Sequence, residues 1–446
     1  MTQNTPPAPA STSPSTPPAS ESLNTPRMRR ILTSSFVGSA IEYYDFLLYA
    51  TAAALVFNQV FFVNLNPVWA TFASFGTLAA GYLARPLGGA IFGHFGDRLG
   101  RKRMLVLSML LMGFATTAMG LLPTTAAIGM AAPALLIGLR VIQGIAVGGE
   151  WGGAMLIALE QAPGGKRGFA ASFANMGAPA GATLATLAMS VATLLPDEHF
   201  FSWGWRIPFL ISAVLVVIAL VIRLKISESP LFQQFEQEAD RRRMPILDVL
   251  TRYPRQLGLG VLAGIAQFTM AGMVTVWAVS EAVAHGADKT GVLNAKAIAA
   301  AAMLVATIVS ARLCDRYGRR RIMLIGIAAG IAAAYPILML VQTGTVAGYA
   351  TAVILGQIIQ GFMFGPLGAF IAEMFPTRVR YTGSSIAYQA SSTLGAGFTP
   401  MLAAGVLAAT SGIAVLGGLW MAVLIVCGLA VLFGPEGHRR QLADIR

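Results

Sequence analysis

The chain has 446 residues, of which 56% are hydrophobic and only 11% charged, with a mean hydropathy of +0.68. A soluble protein would carry roughly twice that charge; the recurring apolar runs of about 20 residues mark an all-α polytopic membrane protein. The net charge of +12 lies in basic residues between the apolar runs, which fits membrane topology and argues against a nucleic-acid partner.

Residues 1–26 are rich in Pro, Ser and Thr and lack the apolar centre of a signal peptide, so they read as a disordered cytoplasmic tail. Apolar length then predicts twelve spans. Six fall at 31–57, 68–92, 104–122, 131–158, 168–195 and 206–224. A polar stretch, 225–253, follows. Six more fall at 254–284, 294–313, 322–341, 348–372, 381–408 and 411–433, before a short tail, 434–446. Of the 31 Lys and Arg residues, the outer loops hold only Arg206, Lys289 and Lys296, and Arg85 and Arg140 fall within spans. The rest lie on one side, which predicts that both termini are cytoplasmic.

The chain repeats itself. "GHFGDRLGRKRM" (93–104) follows the second span and "ARLCDRYGRRRIM" (311–323) the eighth. Both read D-R-x-G-R, six spans apart. Two six-helix bundles, 27–224 and 254–433, joined by the linker 225–253, are a known transporter plan.

Gly96 and Gly100 permit tight turns, and Asp97 suits a neighbouring helix N-terminus. Arg98, Arg101 and Lys102 can bind carboxylates, helix C-termini or lipid phosphates, or serve only as topology anchors. Cys314 and Cys427 make no disulfide framework or metal site. No catalytic triad, zinc spacing or phosphate-binding loop is present, so neither an enzyme nor a cofactor or metal is expected.

Five ionisable residues lie well inside spans: Glu42, Asp45, Arg85, Arg140 and Glu150. Each should face protein or water and have a partner, because a central charge costs several kcal/mol. Glu42, Asp45 and Tyr49 fall on one stripe of span 1. Arg140, Gln143 and Glu150 fall near one face of span 4. The two stripes are expected to converge between the bundles. Spans 7–12 are almost free of charge, and Gln267, Trp277, Gln357, Gln360, Tyr388 and Gln389 are their polar or aromatic candidates. The first half thus reads as the ionic half of a binding site and the second as a neutral wall.

Burial raises the proton affinity of a carboxylate and a nearby guanidinium lowers it. Asp45 is therefore the expected proton carrier, with Arg140 moving toward or away from it and Glu42 assisting; a packing ion pair is the bland alternative. Arg85 is left between binding an anionic substrate and pairing with Glu42. His94 reads as a loop hydrogen-bonder rather than a proton relay. The glycines of "GIAVGGEWGGA" and "GFAASFANMGAPAGATLA" read as close helix contacts.

The repeated D-R-x-G-R motif resembles the major facilitator superfamily. "IEYYDF", "ARPLGGAIFGHFGDRLGRK", "RVIQGIAVGGEWGGA", "WGWRIPF" and "EMFPTRVRYTG" together resemble its metabolite:H⁺ symporter family, nearest the shikimate-type carriers, over about residues 30–435. The resemblance implies the superfamily's twelve-helix fold in a cell membrane, with a monomer as its unit. It implies a cytoplasmic gate at Asp97, Arg98 and Arg101 with a weaker copy at Asp315, Arg316 and Arg319, and Glu150 as a gate or structural partner. It also supports the proton role of Asp45 and Arg140, since sugar porters of the superfamily carry an acid and an arginine in matching places.

The expected partners are a small organic anion or zwitterion, protons and the lipid bilayer. Arg85, Arg140, Tyr49, Gln143, Gln267, Gln360, Tyr388 and Gln389 are the expected substrate contacts. An H⁺-coupled exporter is the alternative, suggested by "GAPAG" in span 5. A non-transporting sensor ranks last, for want of a long signalling region.

Overall fold

A computed structural model describes residues 25–65, 67–99, 101–162, 165–224, 245–410 and 412–437. The first half contains the long helices α1 (Pro26–Leu55), α2 (Pro67–Leu99), α3 (Arg101–Leu121), α4 (Ala131–Gln161), α5 (Arg167–Ala192) and α6 (Arg206–Leu224). The second contains α7 (Pro254–Gly272, continued through a π-helical turn at Met273–Trp277 to Ala284), α8 (Lys289–Tyr317), α9 (Arg319–Gln342) and α10 (Val346–Ala372). It ends with α11 (Arg380–Ser392, continued through a π-helical turn at Thr393–Gly397 to Thr410) and α12 (Ile413–Phe433). Judged on the described residues, nine helical segments are long and apolar enough to cross a membrane. The helices α1, α2 and α5, of 30, 33 and 26 residues, pack among them.

Local chemistry sets several of the ends. Thr25 caps α1, its hydroxyl accepting from the Met28 N–H at 3.2 Å, and Pro26 occupies the first turn. Asp288 caps α8 and Thr345 caps α10 in the same way. Helix α1 starts earlier than the apolar pattern suggested because the cap, not hydropathy, decides where a helix begins.

The D-R-x-G-R stretch corrects a sequence expectation. Its described residues are mostly helical: α2 runs to Leu99 and α3 starts at Arg101, while α8 runs to Tyr317 and α9 starts at Arg319. Gly318 alone makes the second turn, with φ at +99°. Gly96 is helical and lies under the Tyr381 ring, where a Cβ would overlap ring carbons, so its value is close approach rather than a turn. His94 is likewise inside α2, edge-on to Phe95. The linker expected at 225–253 contains a helix, Pro245–Arg252; its first twenty residues, and residues 1–24, lie outside the described residues.

The packing repeats as the sequence does. Helix α1 packs on α5, α2 on α4, and α3 on α4 and α6; six helices later, α7 packs on α11, α8 on α10, and α9 on α10 and α12. Small residues permit these approaches. A Cβ at Gly144 or Gly148 would overlap the α2 backbone, and one at Gly181 that of α1. The two halves meet chiefly through α5 with α8 and α10, and through α11 with α2 and α4.

Candidate functional site between the two halves

The glycine-lined contact of α2 with α4 brings Arg85 and Arg140 together. Both are buried, at 2% and 0% exposure. The Arg85 guanidinium carbon lies 3.8 Å from the centre of the Phe46 ring and that of Arg140 lies 3.9 Å from the same centre. Tyr82 adds a second ring to Arg85 at 4.7 Å, and Tyr49 a second ring to Arg140 at 4.0 Å. Among the described residues neither arginine has a carboxylate in ion-pair contact. Nη1 of Arg85 donates to Ser392 at 2.8 Å and Nη1 of Arg140 to Gln143. Nε and Nη2 of both are buried without a hydrogen-bond partner.

The stripes on α1 and α4 converge as expected, but through different pairings. Gln143 links Arg140 to Thr116 at 2.7 Å and to the Asp45 carbonyl at 3.4 Å. Tyr49 donates to Thr77 at 2.6 Å. The Asp45 carboxylate accepts from Ser212 of α6 and is not ion-paired with Arg140, so the packing ion pair considered from sequence is not what the structure contains. Glu42 is buried on α1, and Arg85 donates to a hydroxyl rather than pairing with it.

The second half supplies amides and rings. Gln357 donates to Gln360 at 2.5 Å, and Gln360 to Gln267 at 2.8 Å. Trp277 is buried at the end of the π-helical turn in α7. Tyr388 shares a 2.7 Å hydroxyl contact with Tyr43, stacks on Trp151 at 3.5 Å and meets Phe268 edge-on. Gln389 donates to the Val147 and Gly148 carbonyls at 3.3 Å.

At the end of the molecule carrying the Arg-rich turns, charges pair with charges. Asp315 accepts from the Gly168 and Phe169 N–H groups, both at 2.8 Å, and so caps α5 from the other half. Arg319 lies 3.1 Å from Asp315 and 3.2 Å from Glu373. Glu436 accepts from the Arg319 and Arg320 N–H groups. Burial lifts the Glu373 carboxyl to about 7 despite the opposing pull of Arg319. Arg380 pairs with Glu160 across the halves at 3.5 Å, both fully buried; it is therefore not the solvated loop charge its position in sequence suggested. Arg316 is exposed beside Tyr317 and stands apart from this cluster. The side chains of Asp97, Arg98, Arg101 and Glu150 lie outside the described residues.

Phe46, Tyr43, Tyr82, Ser212, Ser392, Glu160, Glu373 and Glu436 escaped the sequence analysis as individual residues. Tyr43 and Phe46 stand in "IEYYDF" and Glu373 and Arg380 in "EMFPTRVRYTG", so their neighbourhoods carried the signal. Hydrogen bonds between the halves run from the Arg-rich end up to the level of Tyr82 and Thr393.

A sequence model of the Major Facilitator Superfamily matches residues 35–400. The chain is 41% identical to the inner membrane metabolite transport protein YhjE of Escherichia coli (strain K12), over 84% of this chain and 87% of that one. It is 40% identical to the shikimate transporter of the same strain, over 88% and 91%. Against the proline/betaine transporter of Salmonella typhimurium identity is 31%, over 90% and 82%. The proton:xylose symporter XylE bound to 6-bromo-6-deoxy-D-glucose shares the fold at a TM-score of 0.75 and 18% identity, over 94% of this chain and 98% of that one. These relatives and neighbours are transporters, not enzymes. The chain belongs to the major facilitator superfamily and is a multi-pass membrane transporter.

Proposed function

We propose that the chain is a proton-coupled symporter that imports a small organic acid across the cell (inner) membrane by alternating access. The observation that carries this reading is the buried Arg85 and Arg140 pair, which among the described residues is met by rings, one hydroxyl and one amide oxygen rather than by carboxylates. Two guanidinium groups with donor nitrogens to spare favour a carboxylate ligand. A relative is a shikimate transporter, which is consistent with a carboxylate. A zwitterion such as betaine or proline is the neighbouring possibility, since another relative carries those.

In this reading twelve spans form two bundles, 27–224 and 254–433, linked by 225–253, with both termini cytoplasmic as the Lys and Arg bias favours. The Arg-rich end is then cytoplasmic, and the clasp of Asp315, Arg319, Glu160 and Arg380 closes it. Asp45, with Glu42, takes up the proton while Ser212 holds its carboxylate and Arg140 faces the substrate. A movement of α1 against α4 that brings Arg140 to Asp45 would expel the proton, and the substrate carboxylate would compete for the same guanidinium. Tyr49, Gln143, Gln267, Gln360, Tyr388 and Gln389 line or brace the substrate site. Asp97, Arg98, Arg101 and Glu150 belong to the gate. The working unit is a monomer.

The test is proton movement in proteoliposomes. Shikimate, α-ketoglutarate, citrate, protocatechuate, betaine and proline are added singly while pH is recorded on the side of addition. Alkalinisation with a carboxylate supports symport. Silence across the panel, in vesicles that exchange other compounds, removes it and favours an H⁺-coupled exporter.

A further inference from the structure

Buried arginines ordinarily pair with carboxylates, because an unpaired charge removed from water costs several kcal/mol. The Arg319 and Arg380 clusters obey that rule. Among the described residues Arg85 and Arg140 do not, and what stands in place of the carboxylate is one ring. Phe46 lies under both guanidinium groups at 3.8 and 3.9 Å. Tyr82 touches only the Arg85 group and Tyr49 only the Arg140 group. The stem of Arg140 is laid over Gly81, where a Cβ would come within 3.0 Å of Cγ and Cδ.

The two kinds of partner differ in what they consume. A carboxylate takes the N–H edge of a guanidinium and neutralises the site. A ring offers its negative face to the cation and leaves the N–H edge unused. The buried, unpartnered Nε and Nη2 atoms of both arginines are that unused edge.

We propose that Phe46 is a positioning residue, whose ring, held between the Arg85 and Arg140 guanidinium groups, fixes both so that their unused N–H edges stay available to the transported acid. This rests on the carboxylate reading given above. It adds that selectivity for an anion depends on an aromatic residue that makes no hydrogen bond to the ligand. A carboxylate in place of the ring would fill the donors from within and make the substrate compete for them.

The experiment measures phenylglyoxal adducts at Arg85 and Arg140 by peptide mass spectrometry, on the purified full-length protein, with shikimate, α-ketoglutarate or citrate as protecting probe. In the wild type a probe slows modification at both arginines. In Phe46→Leu the half-protecting concentration rises about tenfold or more, the size expected of desolvated cation–π contacts. In Phe46→Tyr, which keeps the ring, it stays within about threefold. Tyr82→Leu weakens protection at Arg85 more than at Arg140, a site-by-site difference that general loosening of the fold does not produce. Unchanged protection in Phe46→Leu, or equal loss in Phe46→Tyr, overturns the proposal while leaving the carboxylate site standing. If Phe46→Leu does not yield monodisperse protein, the Tyr82→Leu pattern decides, and equal effects at both arginines overturn the proposal. Protection of neither arginine in the wild type by any of the three acids removes the carboxylate reading itself, and this proposal with it.

Discussion

The centre of the molecule and its Arg-rich end solve the same problem in opposite ways. Both bury arginines. At the end, Arg319 sits against Asp315 and Glu373 within the second half, while the Arg380–Glu160 pair and the capping of α5 by Asp315 join the two halves. At the centre, Arg85 and Arg140 sit against Phe46, Tyr49 and Tyr82 and keep donors unused. Arginines spent on internal carboxylates hold structure together; arginines held by rings are available to a ligand. In the proposed reading, the division separates a clasp from a binding site within one pattern of buried charge.

The largest effect expected at the centre comes from Asp45→Asn. It should abolish proton-driven accumulation in proteoliposomes while counterflow of the same substrate persists. Accumulation that survives would show that Asp45 is not the coupling group, and the proton would have to be sought at Glu42.

The clasp is tested by breaking one partner. Arg380→Met leaves Glu160 buried and should cost about 3–5 kcal/mol in denaturant unfolding, whereas the double variant Arg380→Met/Glu160→Leu should recover most of it. A single variant as stable as the wild type would mean that the pair does not hold the halves together.

Glu373 gives the clasp a pH dependence. Its carboxyl is lifted from 4.5 to about 7 in the folded chain. Between those values the folded state holds a proton that the unfolded state has released. The contribution is full below about pH 4.5 and is lost as pH rises through about 7, so stability falls over that window. Thermal unfolding from about pH 5 to about pH 8 should show this fall, and Glu373→Gln should flatten it. An equal slope in the variant would assign the titration elsewhere.

The smallest expected effect is in the neutral wall. Gln360→Leu breaks the amide chain from Gln357 to Gln267 and should raise KM a few-fold, in line with about 1 kcal/mol for a hydrogen bond. A loss as large as that from Asp45→Asn would sharpen the comparison by moving a principal substrate contact into the second half.

The sequence by itself determined the membrane class, the repeat and the superfamily, because apolar length, basic turns and D-R-x-G-R are local signals. It also located the buried charges, since an ionisable residue in an apolar run is conspicuous wherever the helix packs. What only the tertiary structure decided is which groups meet. Asp45 turned to Ser212 and not to Arg140, Arg380 proved to be buried and ion-paired with Glu160 rather than a loop charge, and Phe46 came between two arginines from different helices. Helical periodicity places a residue on a face. Glycine-lined contacts set how closely two faces approach, and those distances determine whether a charge meets a carboxylate, a hydroxyl or a ring.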